Sequence, residues 1–182
     1  MSIKNDGYMV DQLINLDTQA IGEIYDQFFS EIFRYVRYRI NDASIAEDIA
    51  SEVFVRLLEA SQKKQGPQTN LKGWLLSTAS NLVIDHLRRT YRRPTETLSD
   101  SMPDGASDVH VEVDLREQNR AVRSAYARLT HEQQHVLALR FGQGYSLEET
   151  ALYMKKKANA IKALQFRALA SLQRLIGEVS HE

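Results

Sequence analysis

Apolar side chains recur at steps of three and four along most of this chain. Ile21, Ile24, Tyr25, Phe28, Ile32, Val36 and Ile40 form one such series and predict a helix over 18–40, with Asp17 or Thr18 at its start. A second helix follows Asn41-Asp42, with Ile45, Ile49, Val53 and Leu57 on one face and acids on the other. Gln62–Thr69 holds Gly66-Pro67 and reads as a loop. Asn70 is placed to cap a third helix running to about Thr90. A fourth is expected over 113–129. Thr130 with Gln133, and Ser146 with Glu149, have the spacing of capping boxes. The first opens a helix to Phe141, stopped by Gly142 and Gly144; the second opens a short helix to Met154. A final helix is expected over 158–176. No strand pattern and no internal repeat interrupts this series.

Between Pro94 and about Val111 the periodicity lapses into Pro, Ser, Thr, Gly105 and acids, which reads as a flexible acidic linker. The expected architecture is all-α, with two small helical domains, 8–93 and 113–182, joined by a linker over 94–112. The second domain has the layout of a helix–turn–helix.

Composition removes several functional classes. Cysteine is absent, which excludes disulfides, Cys-based zinc sites, iron–sulfur clusters and a thiol nucleophile. A 43% hydrophobic content suffices for a packed core. The longest apolar runs, such as Leu82–Ile84, are far too short to span a membrane. Lys4, Asp6 and Asp11 leave no apolar signal core, so a cytoplasmic location is expected.

The net charge of −1 hides a strong segmentation. Asp42–Glu59 carries net −4, His86–Arg93 carries four arginines and no acid, and Pro94–Gln118 carries net −6. Thr150–Ile176 holds six bases and no acid. Alternating blocks of this kind point to separate surfaces for separate partners.

Two helix faces carry candidate chemistry. On the final helix Ile161, Leu164, Ala168, Leu172 and Leu175 form an apolar stripe, and Phe166 lies about 160° from its centre, amid Lys162, Arg167 and Arg174. Cations around an outward aromatic suit a helix in the DNA major groove, the cations on phosphates and the ring on a base edge or thymine methyl. The alternative is a solvated basic face with Phe166 folded on a neighbour. On the third helix Trp74, Asn81, Asp85, Arg88 and Arg92 fall within about 60° of one another. An aromatic, an amide and arginines in line suit a single DNA strand, through stacking, base-edge reading and backbone contact. The alternative there is a core Trp74, with Asp85 pairing with Arg88 or Arg89.

His131-Glu132-Gln133-Gln134-His135 matches the two-histidine zinc signature H-E-x-x-H. His131 falls in the first turn after a cap, no third ligand is evident, and no cleft-forming strand surrounds it. A metal-dependent hydrolase is therefore a weak alternative, and no metal or other cofactor is expected. A free-standing helix–turn–helix regulator is the other. It would need neither an acidic partner-binding helix nor a strand-capture stripe.

The order of these pieces resembles a known family. Ala46 to Phe54 is similar to the core-binding helix of bacterial RNA polymerase sigma factors. Gly73 to Asn81, followed by Ile84 to Arg89, is similar to their promoter-melting helix. Leu129 to Leu137, Leu139 to Phe141, Gly144 to Ser146 and Glu148-Glu149 are similar to the start of their C-terminal DNA-binding domain. The compact two-domain form resembles the extracytoplasmic-function (group IV) branch of the sigma-70 superfamily.

The resemblance implies a specificity subunit and not an enzyme. Core polymerase would be held through its β′ clamp helices, by Asp48, Glu52, Phe54 and Arg56, and through its β flap. The melted −10 strand would meet Trp74, Asn81, Asp85, Arg88, Arg89, Arg92 and Arg93, with Asn81 in the pocket for a flipped base. The −35 duplex would meet Lys155, Lys156, Lys157, Lys162, Phe166 and Arg167. The linker would follow the polymerase's nucleic-acid channels, and an anti-sigma protein would mask these surfaces. The sequence departs from the pattern in two places. Ser51 stands where many relatives have Gln, and Lys155 and Lys157 stand at the turn's usual Gly and Ser or Thr cap. Asn159 is the alternative cap, which would start the final helix a residue or two later.

Overall fold

The computed structural model describes Val10, Leu13 and residues 18–92 and 121–179. The predicted linker over 94–112 lies outside the described residues, as do Arg93 and the outer limits of both expected domains.

Three long helices build the first half: α1 (Thr18–Arg37), α2 (Ala43–Gln62) and α3 (Leu71–Arg92). Their starts are set by short polar side chains. Asp42 accepts the Ile45 N–H at 3.0 Å to begin α2, and Asn70 accepts the Gly73 N–H at 2.9 Å to begin α3. Their inner faces are the predicted apolar series. Ile24, Ile32, Tyr35, Val36, Val53, Leu57, Leu75 and Leu76 are almost completely buried together, with Val10 and Leu13 added from the N-terminal side.

The second half begins with helical residues 121–127, here α4. It continues with α5 (His131–Leu137), α6 (Leu147–Tyr153) and α7 (Ala158–Val179). Both capping boxes form as expected, with reciprocal bonds between Thr130 and Gln133 and between Ser146 and Glu149. Ile161, Leu164, Ala168 and Leu175 of α7 are buried against Ala125, Leu129, Val136 and Leu137, and Leu172 packs at the margin. No strand occurs among the described residues.

Three features differ from the sequence expectation. The helix predicted to reach Phe141 leaves α geometry after Leu137 and makes a π turn over Ala138–Gly142. The Gln143 N–H reaches back to the Ala138 carbonyl at 3.0 Å. The wider turn brings Gly142 onto the Tyr38 ring, where a Cβ would come within 2.8 Å of ring carbon. The long-range contact decides this geometry, and local periodicity cannot anticipate it.

At the α6–α7 turn, Lys155 adopts a left-handed φ of 52°. Lysine thus takes the conformation in which glycine is strain-free. Asn159 does not cap α7, which already starts at Ala158, its Ile161 N–H bonded to the Lys157 carbonyl at 3.1 Å.

The third difference concerns the halves themselves. Ala138, Leu139 and Tyr145 of the second half are buried in the same core as Tyr35, Leu75 and Leu76 of the first. The two halves share a packed face in addition to the covalent link.

Candidate nucleic-acid and polymerase interface

On α2 the acidic side faces solvent. Glu47 and Asp48 are exposed and Glu52 is half-buried, paired with Arg56 one turn on at 2.9 Å. Phe54, expected on the polymerase surface, is turned inward. It is buried edge-on to Tyr25, with ring centroids 4.9 Å apart, and supports the helix from beneath. Ile49 and Val53 are buried, and Ile45 packs at the edge of the core.

The stripe on α3 lies along a groove between α2 and α3. Trp74, Asn81 and Asp85 line it together with Arg56 and Glu59, a cavity of about 320 Å3. Trp74 is half-buried, packed on the core by one side and open to the groove on the other. Asn81 and Asp85 are exposed. Arg88 points elsewhere, into a cleft shared with His131 and Gln134. Arg89 is exposed, and the Arg92 side chain and Arg93 lie outside the described residues. An indole, an amide and a carboxylate along one open groove form a surface on which an unstacked base can stack and be hydrogen-bonded.

On α7 the apolar stripe is buried and the opposite side is solvent-facing. Phe166 is 73% exposed, flanked by exposed Lys162 and Arg167. The three turn lysines are exposed but do not join this face as a group. Lys155 borders a cleft with Asn70 and Trp74, and Lys156 pairs with Glu132 at 2.8 Å.

The sequence reading missed a polar cluster between the halves. Arg39 donates to Tyr35 Oη at 3.1 Å, to Ser80 Oγ at 3.0 Å and to Gln134 Oε1 at 2.6 Å. Tyr35 Oη lies 2.6 Å from His135 Nδ1, with the rings edge to face. Gln134 in turn donates to the carbonyls of Tyr126, Ala127 and Leu129. His135 is buried, and its imidazole is held down to about 3 by burial, then by the charges of Arg39 and His131. His131 is lowered too, again first by burial. The imidazole, neutral in this dry setting, shares a hydrogen bond with the Tyr35 hydroxyl, whose oxygen also accepts from Arg39. The second histidine of H-E-x-x-H is therefore an interface residue. The available signal was polar Gln134 and His135 standing beside Val136 and Leu137 at helical core positions.

A second polar link joins the halves at the far end of α3. Glu31 accepts from Tyr145 Oη and pairs with Lys72 at 2.6 Å. Lys72 also lies over the Tyr145 and Tyr153 rings. Asn70 both caps α3 and donates to the Leu152 carbonyl at 3.0 Å.

Comparison with known proteins identifies both halves. Residues 24–93 match the Sigma-70 region 2 model and residues 125–174 match the Sigma-70 region 4 model. The ECF RNA polymerase sigma factor BldN of Streptomyces coelicolor is 35% identical over 162 residues, covering 88% of this chain and 61% of BldN. The chain thus spans less than two thirds of that relative. The ECF RNA polymerase sigma factor SigX of Bacillus subtilis is 31% identical, covering 83% of this chain and 80% of SigX. Among solved structures, CnrH in complex with the cytosolic domain of CnrY shares the fold, with a TM-score of 0.59 and 19% identity over 95% of this chain and 97% of that one.

Proposed function

We infer how work is divided within this chain from one premise: it belongs to the ECF RNA polymerase sigma factors of the sigma-70 superfamily. It is a promoter-directing transcription initiation factor and not an enzyme. In our reading, residues 8–93 bind core polymerase and capture the −10 strand, 94–112 connect, and 113–182 read the −35 duplex. Asp48, Glu52 and Arg56 meet the β′ clamp helices. Trp74, Asn81 and Asp85 take the melted strand, with Arg89, Arg92 and Arg93 on its backbone, while Arg88, expected there too, lines the separate cleft with His131 and Gln134. Lys162, Phe166 and Arg167 read the duplex, and Lys155, Lys156 and Lys157 hold phosphates. No helix among the described residues is long and apolar enough to cross a membrane, and we place the protein in the cytoplasm with its polymerase. A groove lined by exposed Tyr38, Val122, Phe141 and Leu169 is the apolar surface left for an anti-sigma partner.

The observation that carries this reading is the exposure of Phe166 between two cations on a helix whose other side is fully used by the core. The core leaves that ring unused, and in a DNA major groove it can contact a thymine methyl. The test separates the two nucleic-acid roles on promoters recovered from a genomic library transcribed with core polymerase. Asn81→Ala is expected to cost open-complex formation about 1–3 kcal/mol and to leave −35 duplex binding within about twofold. Phe166→Ala is expected to change which −35 sequences are recovered. Equal loss in both assays for Asn81→Ala would falsify the strand-capture assignment.

A further inference from the structure

We propose that Asn159 is a base-reading residue for the −35 duplex: its amide selects an adenine about three base pairs from the pair that Phe166 touches. The inference rests on the reading of α7 given above and adds to it a second specificity position.

The start of α7 leaves this side chain without a structural task. Asn favours helix caps and turns, where its amide satisfies the backbone. Here α7 begins one residue earlier, at Ala158, and the Ile161 N–H goes to the Lys157 carbonyl at 3.1 Å. Asn159 therefore lies inside the first turn. It is exposed, and its amide bonds to no other described residue.

Helical geometry places it on the reading line. At 100° per residue Asn159 lies about 20° from Phe166, with Lys162 and Ala163 between them along the axis. Ile161, Leu164, Ala168 and Leu175, all buried, are centred about 180° from Phe166. The rotation of α7 is fixed on its two flanks. Gln165 accepts from Arg140 Nε at 2.9 Å, and Ser171 Oγ accepts from Gln133 Nε2 at 3.2 Å. From Asn159 to Phe166 the helix rises about 10 Å, against about 3.4 Å per base pair. A recognition helix with its first turns in the major groove thus sets the two side chains about three base pairs apart.

The face between them is low. Ala158, Ala160, Ala163 and Ala170 are exposed beside Asn159, Lys162, Phe166 and Arg167. Alanines let the helix backbone sink towards the groove floor, which a side chain as short as Asn needs in order to reach a base edge. The groove is about 12 Å wide, close to the diameter of a helix. An amide offers a donor beside an acceptor, and adenine is the base that presents the matching acceptor and donor, N7 and the N6 amino group. The turn lysines hold phosphates in the reading above, which leaves affinity to them and selection to the amide.

The test uses full-length variants reconstituted with core polymerase on a promoter library randomised across the −35 element, with transcripts counted for each sequence. Wild type is expected to fix an A·T pair about three base pairs from the pair whose preference changes in Phe166→Ala. Asn159→Ala should lower the preference for adenine at that one position about tenfold and leave the other positions within about twofold. Asn159→Asp should turn the preference towards cytosine, because a carboxylate accepts from the cytosine amino group and has no donor for adenine N7. Asp is favourable in the first turn of a helix, so this variant keeps the fold. The salt slope of holoenzyme binding should be the same in Asn159→Ala as in wild type, since a neutral side chain releases no counterion. A wild-type profile with no adenine at that spacing overturns the proposal. So does an unchanged profile in Asn159→Ala, a loss spread evenly over all sequences, or an adenine retained in Asn159→Asp. If Phe166→Ala also leaves the profile unchanged, the reading of α7 itself fails. If Phe166→Ala alters it and Asn159→Ala does not, only the assignment of Asn159 falls.

Discussion

Acidification from pH 7 to pH 5 is expected to destabilise the folded chain by about 2 kcal/mol through His135 alone. The folded imidazole is held at about 3, first by burial and then by Arg39 and His131. The unfolded imidazole returns to about 6.5. Since the folded value lies below the unfolded one, the unfolded chain binds more protons between these limits. The stability tied to neutral His135 is complete above pH 6.5 and is lost as pH falls towards 3. At pH 5 proton uptake by the unfolded imidazole favours the unfolded state by RT ln(1 + 10^1.5), about 2 kcal/mol, against a small fraction of that at pH 7. His131 is shifted in the same direction and adds to the slope. For a chain of this size a loss of about 2 kcal/mol corresponds to roughly 4–8 °C in Tm. Urea unfolding of wild type and His135→Gln at pH 7, 6 and 5 isolates the contribution, because carboxylates titrate equally in both. The difference in pH dependence should be about 2 kcal/mol over this range. Parallel curves, or an NMR titration that puts the folded His135 midpoint above pH 5.5, would refute the placement of this imidazole in a dry, cation-flanked site.

Two further outcomes are expected. Lys155→Gly should stabilise the protein by about 0.5–1 kcal/mol, since glycine removes the left-handed strain at a cost in unfolded-chain entropy. The same change should lower the salt slope of DNA binding by roughly 0.9 if the lysine holds a phosphate; thermal melts and a salt titration read the two effects separately. Asp48→Arg, on an exposed position of α2, should leave the Tm within a degree or two, because surface changes stay within about 0.5 kcal/mol. It should still weaken competition for core polymerase, and unchanged competition would remove this face from the polymerase contact.

The sequence by itself determined the local structure and the split of surfaces. The all-α class followed from steps of three and four with few glycines and prolines. Asp42, Asn70, Thr130 and Ser146 all start helices, because a cap is a bond between residues three apart. The exposed face of α7 was legible for the same reason: once Ile161, Leu164 and Ala168 are buried, helical geometry sends Phe166 outward. Of the line Trp74, Asn81, Asp85, Arg88 and Arg92 read in the same way, the first three lie in one groove and Arg88 lines another cleft.

Only the tertiary structure decided what happens where elements meet. Phe54 belongs to a motif associated with polymerase binding, yet Tyr25 and Phe29 of another helix enclose it. At the π turn Gly142 lies against Tyr38, a residue about a hundred positions away in the chain. His131 and His135 have the spacing of metal ligands, but spacing along one helix does not reveal what faces it. Burial, and then the charge of Arg39, keep His135 neutral at the junction of the halves, hydrogen-bonded to Tyr35. Contacts within a turn are fixed by the order of residues; contacts between helices depend on which faces the whole fold brings together.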